Sequence, residues 1–330
     1  MKNINSNIVY PPNKQMEVNF EFSKTPNIND YFLFLDFNSI GSWITGSADL
    51  SGTFWEGNIL YFQNEDNLID LSYSKYYVHT TSTDAKFVND DTVAVAEDTG
   101  LLNILAVDDS ATLKQINHFR HSQRISELGV WKNSSNVVTA FGRNIAVWDI
   151  NSNEKRPSCL FENIHTASVN SVDTVKSAPG ILVSGSSDRK LCLWDLRADN
   201  PPTVLYSNEF SSLTKVVSNP KDSNYYAVGT QGGDIYIVDK REPGDFVCSY
   251  HCFNKPVKCL AFDESHKLAV SGEINKIIIF DTENNVLKDF YTNEKHENHV
   301  KALRWYHNYL YSCGFGNRQV LKHNIKDRVS

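Results

Sequence analysis

The chain is 330 residues long, 41% hydrophobic and 22% charged, and 39 acidic against 32 basic side chains leave a formal charge of −7. This is globular composition, outside the disordered and fibrous classes, and net acidity with interspersed cations excludes binding of nucleic acid through phosphates, which needs a clustered basic surface. Aromatic residues at 12% and short Val/Ile/Leu runs broken by Asn, Ser, Thr and Asp predict an all-β chain.

Met1 to Tyr10 has no apolar core of signal-peptide length, and the most apolar early segment, Tyr31 to Phe37, is short and interrupted by Asp36. Six cysteines at 159, 192, 248, 252, 259 and 313 follow no regular spacing and read as reduced thiols. Together these predict a cytoplasmic and nuclear protein with no membrane association. Residues 1–15 form an N-terminal arm, and Met16 to Ser23 alternates apolar with polar residues as a strand does.

Further along, two segments align directly. Val137 to Asp149 and Ile181 to Asp195 each read strand, polar turn, strand, Trp-Asp. Followed outward, the Trp place falls on Phe62, Val107, Trp148, Trp194, Val238, Phe280 and Lys322, at intervals of 45, 41, 46, 44, 42 and 42 residues. Seven units near the ~40–45 residues of a four-stranded blade predict one seven-bladed WD-repeat β-propeller over 16–330. The strand at 16–24 is left over, and it is expected to complete the last blade and close the ring without an unpaired edge. Separate domains are excluded, because each blade buries its faces against its neighbours.

Ahead of each unit's first strand, His is followed four residues later by Val or Ile and then, three further on, by an apolar residue: His121/Ile125/Leu128, His165/Val169/Val172 and His296/Val300/Leu303. Phe253/Val257/Leu260 and Glu209/Leu213/Val216 keep the frame without the His. A His that repeats with the blade period is structural. His165, Ser184, Asp188 and Trp194 are expected to form one hydrogen-bonded set in the fourth blade, and His121, Thr139 and Trp148 its counterpart in the third; such sets stabilise only when every member is satisfied.

Nothing in the sequence converges on catalysis. Gly229 to Asp234 is a strand-turn-strand link rather than a phosphate loop, no Gly-x-Ser-x-Gly elbow occurs, and His296-Glu297-Asn298-His299 is one residue short of the His spacing of a zinc-protease helix. Cys248, His251 and Cys252 lie in one predicted outer strand, where alternation turns the His away from the cysteines, so no metal is expected. Asp90-Asp91 and Asp108-Asp109 fall in turns and read as caps. No catalytic residue, metal or cofactor is assigned.

One stretch breaks the repeat. Between the second and third strands of blade one, Ser47 to Gly57 is longer than the turn at Gly185 to Asp188, and it carries Phe54 and Trp55 side by side. Adjacent side chains in an extended loop point to opposite sides, so both cannot enter the same core. Trp55 therefore either anchors a partner, Trp being over-represented among interface hot spots, or folds back over the blade rim.

On these residues the chain resembles the WD-repeat subunit of the methylosome. The resemblance rests on Pro11-Pro12-Asn13 with Met16-Glu17, Leu50-Ser51-Gly52-x-x-Trp55-x-Gly57-x-Leu60, Val93-Ala94-Val95-Ala96-x-Asp98-x-Gly100, Trp194-Asp195-x-Arg197 and Val300-Lys301-x-x-x-Trp305. It implies a non-catalytic scaffold that binds and activates the protein arginine methyltransferase making symmetric dimethylarginine, and presents histone tails or Sm proteins. In that family Trp55 would enter a pocket on the enzyme, with Ser51, Gly52, Phe54 and Gly57 shaping the loop; position 53 is Thr where a basic residue is expected. A germ-plasm role is implied for one lineage. The competing reading is a substrate receptor of a cullin ubiquitin ligase, through Trp194-Asp195-Leu196-Arg197.

Overall fold

The computed structural model describes residues 31–51, 54–64, 72–78, 80–132, 134–198, 201–283, 286–315 and 320–325. Short β-branched and aromatic runs alternate with tight turns, and each run pairs antiparallel with the next. The described strands make six four-stranded sheets and one three-stranded sheet, each in chain order. The first strand of every sheet lies next to the first strands of its neighbours: Tyr31–Phe37, Ser82–Phe87, Ile125–Val130, Val169–Thr174, Leu213–Ser218, Val257–Phe262 and Val300–Tyr306. Seven sheets arranged so around a common axis are the blades of a seven-bladed β-propeller.

Each blade buries one cluster of side chains against the next, for example Val138, Ile145 and Val147 of blade three against Val169, Val172 and Leu182 of blade four. Blade seven packs back on blade one. Phe37 stacks on Tyr306 with ring centroids 4.8 Å apart, Arg304 reaches Asp36 at 2.7 Å, and Tyr31 bridges to Phe315. The strand expected at 16–24 to complete blade seven lies outside the described residues, as does the arm at 1–15.

The register corrects two positions of the sequence repeat. Trp194 pairs with Leu182, and the equivalent pairs are Val93 with Leu105 in blade two and Leu310 with His323 in blade seven. Leu105 and His323, rather than Val107 and Lys322, therefore occupy the Trp place. Pairing across the sheet, not spacing along the strands, sets which residues of two blades are equivalent.

A larger correction concerns Ser47 to Gly57, which is not a loop. The second strand of blade one runs Trp43–Ser51 and the third Phe54–Phe62, nine residues each, where blade four has six and six. They stay in register from Trp43 opposite Phe62 to Leu50 opposite Trp55 and Ser51 opposite Phe54. Backbone groups that would be unsatisfied in a loop are thus spent on a ladder. Counted from Gly46 opposite Ile59, the equivalent of Gly185 opposite Leu191, the extra pairs carry the hairpin roughly 15 Å past the other blades at the strand rise of about 3.4 Å.

Candidate functional site

Of the residues expected to bind a partner, Ser51, Phe54 and Trp55 lie on this hairpin extension by backbone pairing, and their side chains are outside the description. Gly52 is wholly outside the described residues. Gly57 sits at the base, opposite Ala48. A Cβ there would stand 2.0 Å from the Thr80 carbonyl oxygen and 2.5 Å from Val78 Cγ2, so only Gly lets the hairpin lie against the outer strand of its own blade. Beside it, at the junction of blades one and two, Asn58 Oδ1 and Ser82 Oγ are buried with no hydrogen-bond partner among the described residues.

The histidines sit inside the blades. In blade four His165 Nδ1 donates to Asp188 Oδ2 at 2.8 Å, Ser184 Oγ lies 2.8 Å from His165 Nε2, and Trp194 Nε1 donates to Ser184 Oγ at 2.8 Å. Burial raises the Asp188 carboxyl, but hydrogen bonds from His165 and the amides of Thr166 and Lys190 bring it below the usual carboxylate range. In blade three His121 Nδ1 donates to the Gly100 carbonyl oxygen at 3.1 Å, while Thr139 Oγ1 and Trp148 Nε1 lie 2.8 and 3.0 Å from Nε2. Blade seven uses two imidazoles. Ser312 Oγ stands 2.7 Å from His296 Nε2 and 2.7 Å from His323 Nε2. Burial pushes His121, His296 and His323 down to about 4, so each is neutral at physiological pH. These groups are consumed in holding strands together, and none faces a cavity.

The large cavity is the channel along the axis, about 1410 Å³, lined by the inner strands. Its acids serve as clasps between blades. Asp36 accepts the Phe87 amide, Asp84 the Leu128 amide, Glu127 the Val172 amide and Asp173 the Ser218 amide, each from the next inner strand. An inner strand has one edge without a ladder, and these bonds satisfy it. Lys215 pairs with Glu127 from two blades away, and Lys86 stands 3.8 Å from Asp84. Burial opposes ionisation of Glu127, yet Lys215 and Lys86 hold it below the ordinary range; Lys215 is held above its own, against burial, by Glu127 and Asp84.

The acids of the turns are committed as well. Asp108 accepts from the Ser110 and Thr112 amides and pairs with Lys114 at 2.7 Å, and Asp90 accepts from the Ser39 amide and hydroxyl of blade one. These turn acids are thus held by their own turns and by a neighbouring blade. His251, at the end of the outer strand Cys248–His251, binds Asp234 at 2.7 Å, and among the described residues no three His, Cys, Asp or Glu groups approach one another as metal ligands would. Arg197 folds back on Asp195, its Nε and Nη2 each 2.8 Å from a carboxylate oxygen. The same fork recurs between Arg241 and Asp239 in the next blade, where Arg241 Nε lies 2.9 Å from Oδ1.

Against known proteins, residues 158–195 match the family described as WD domain, G-beta repeat. The matched segment takes the outer strand of blade three with the first three strands of blade four, so one sequence repeat spans two blades. The chain is 26% identical to the E3 ubiquitin-protein ligase COP1 of Arabidopsis thaliana over 53% of its own length and 25% of that protein. It is 27% identical to the histone acetyltransferase type B subunit 2 of Candida glabrata over 42% of itself and 33% of the relative. It is 34% identical to the GATOR2 complex protein WDR59 of Mus musculus over 25% of itself and 8% of that protein. The chain thus spans at most a third of the length of these relatives. A WD repeat in a propeller whose buried polar groups are structural marks a protein of the protein-interaction class.

Proposed function

We propose that the chain is a non-catalytic scaffold and activating subunit of a protein arginine methyltransferase complex, gripping the enzyme with the blade-one hairpin and presenting histone or Sm-type Arg-rich tails. The observation that carries this reading is the nine-residue strand pair of blade one, which lifts the segment containing Phe54 and Trp55 past the rim of the ring. A ladder-held hairpin offers a preorganised anchor, whose binding loses little to ordering. The relative named as a histone acetyltransferase subunit supports histones as clients.

Mixing the purified chain with the symmetric-dimethylating methyltransferase tests the reading. Trp55→Ala should abolish co-elution and enzyme activation while leaving the melting curve intact, and full retention of the enzyme would remove the hairpin from the interface. The second reading, a substrate receptor of a cullin ubiquitin ligase, draws on the likeness to COP1. In it Arg197 would have to leave Asp195 to meet a partner. Arg197→Ala separates the two readings, since it should cost adaptor binding in the second and nothing in the first.

A further inference from the structure

Phe210 is 91% exposed, more than any other large hydrophobic residue described. It is not on a frayed segment. The buried Asn208 accepts the Phe210 and Ser211 amides at 2.9 Å through Oδ1, and its own amide bonds the Arg189 carbonyl oxygen. From blade four, Arg189 Nη1 donates to the Glu209 carbonyl oxygen at 2.5 Å; from blade five, the Gly232 amide donates to Ser211 Oγ at 2.8 Å. Two blades therefore clamp a turn whose tip is a bare phenyl ring. Exposing that ring costs solvation free energy, and fixing its backbone removes the ordering cost a partner would otherwise meet.

Four residues on, Thr214 lines the channel, so the ring stands beside the channel mouth on the face formed by the turns between second and third strands and by the links between blades. The mouth on this face carries Arg124, Lys258 and Lys301 against one acid, Glu273. Arg124 is exposed and has no ion-pair partner among the described residues, Lys258 lies only 3.9 Å from Glu273, and Lys301 stands over the Phe315 ring at 4.4 Å. The carboxylates deeper in the channel are already bound to amides and to Lys86, Lys215 and Arg304, and Glu273 is taken by Lys258, so Arg124 and Lys301 have no carboxylate partner among the described residues. We infer that this face binds an acidic peptide segment of a partner protein, with an apolar residue packed on Phe210 and carboxylates over Arg124 and Lys301. The chain's net charge of −7 hides this, because the sign at the mouth is opposite.

The test is selection of a random-peptide phage library on the full chain, followed by titration of synthesised winners. Enrichment of Asp/Glu flanking an aromatic or aliphatic residue is expected, with affinity falling as salt rises. Phe210→Ser should weaken the winners about tenfold or more at an unchanged melting curve, and Arg124→Glu with Lys301→Glu should abolish them. Trp55→Ala should bind them normally, which keeps this surface separate from the hairpin. Neutral or Arg-rich winners, no winners, or undiminished binding by Phe210→Ser would each overturn the inference.

Discussion

Blades four and six hold the same strands at the same spacing by opposite means. Where blade four places His165, Ser184 and Trp194 in a hydrogen-bonded line, blade six places Phe253, Val270 and Phe280, all at most 4% exposed. Blade five likewise has Val228 and Val238 where blade four has Ser184 and Trp194. The polar set is exchanged whole. A buried polar network is tolerable complete or absent, and half of one leaves a buried donor or acceptor unpaired.

The largest effect should come from deleting the shared volume. Trp194→Ala and Phe280→Ala should each cost about 3–5 kcal/mol in urea unfolding, and a much smaller loss in either would mean that blade is not packed as described. Next, Ser184→Val should cost about 1–3 kcal/mol by stranding His165 and Trp194. Adding His165→Phe and Trp194→Phe, which imports the set of blade six, should recover much of that loss. If the triple variant is worse than Ser184→Val alone, exchange as a set is wrong.

Protonation attacks the comparison from the other side. His121, His296 and His323 are held near 4 in the fold against an ordinary 6.5, so between those values the unfolded chain takes up protons that the folded chain refuses. Stability should be complete above about pH 6.5 and fall as pH drops toward 4, by at most about 1.4 kcal/mol per pH unit for each group. Melting temperatures across that window measure it. Replacing His121, Thr139 and Trp148 together by Phe, Val and Phe should flatten the slope, and an unchanged slope would place the proton uptake elsewhere. The smallest effect should be that of Arg197→Ala, which should leave the melting temperature unchanged, because its pair with Asp195 is exposed and screened by solvent.

Much of this contrast can be read in the chain itself. The three His frames mark the three blades that carry polar sets, because a loop His four residues before an inner strand has no other place to go. Nothing local distinguishes His323; only its pairing opposite Leu310 puts it on Ser312. The blade-one hairpin has the sequence of a loop because Ser47, Asp49, Ser51, Gly52 and Gly57 have turn chemistry, and a ladder between two such strands is a property of the pair rather than of either strand. The clasps of the channel leave still less trace. Asp84 and Glu127 are single acids in their inner strands, and their partners are backbone amides 44 and 45 residues away.

Those clasps also decide where the chain can change length. The inner strands of blades one to four are each tied by an acid to an amide of the next, so one residue gained or lost within the strands of blades two to four would displace the clasps on both sides and turn the apolar face toward the axis. The turns from third to fourth strand carry none of these clasps, and they already differ in length, from 108–112 in blade two to 150–158 in blade three. Insertions and deletions should be tolerated there, and the ring would keep its geometry while its rim is free to diversify.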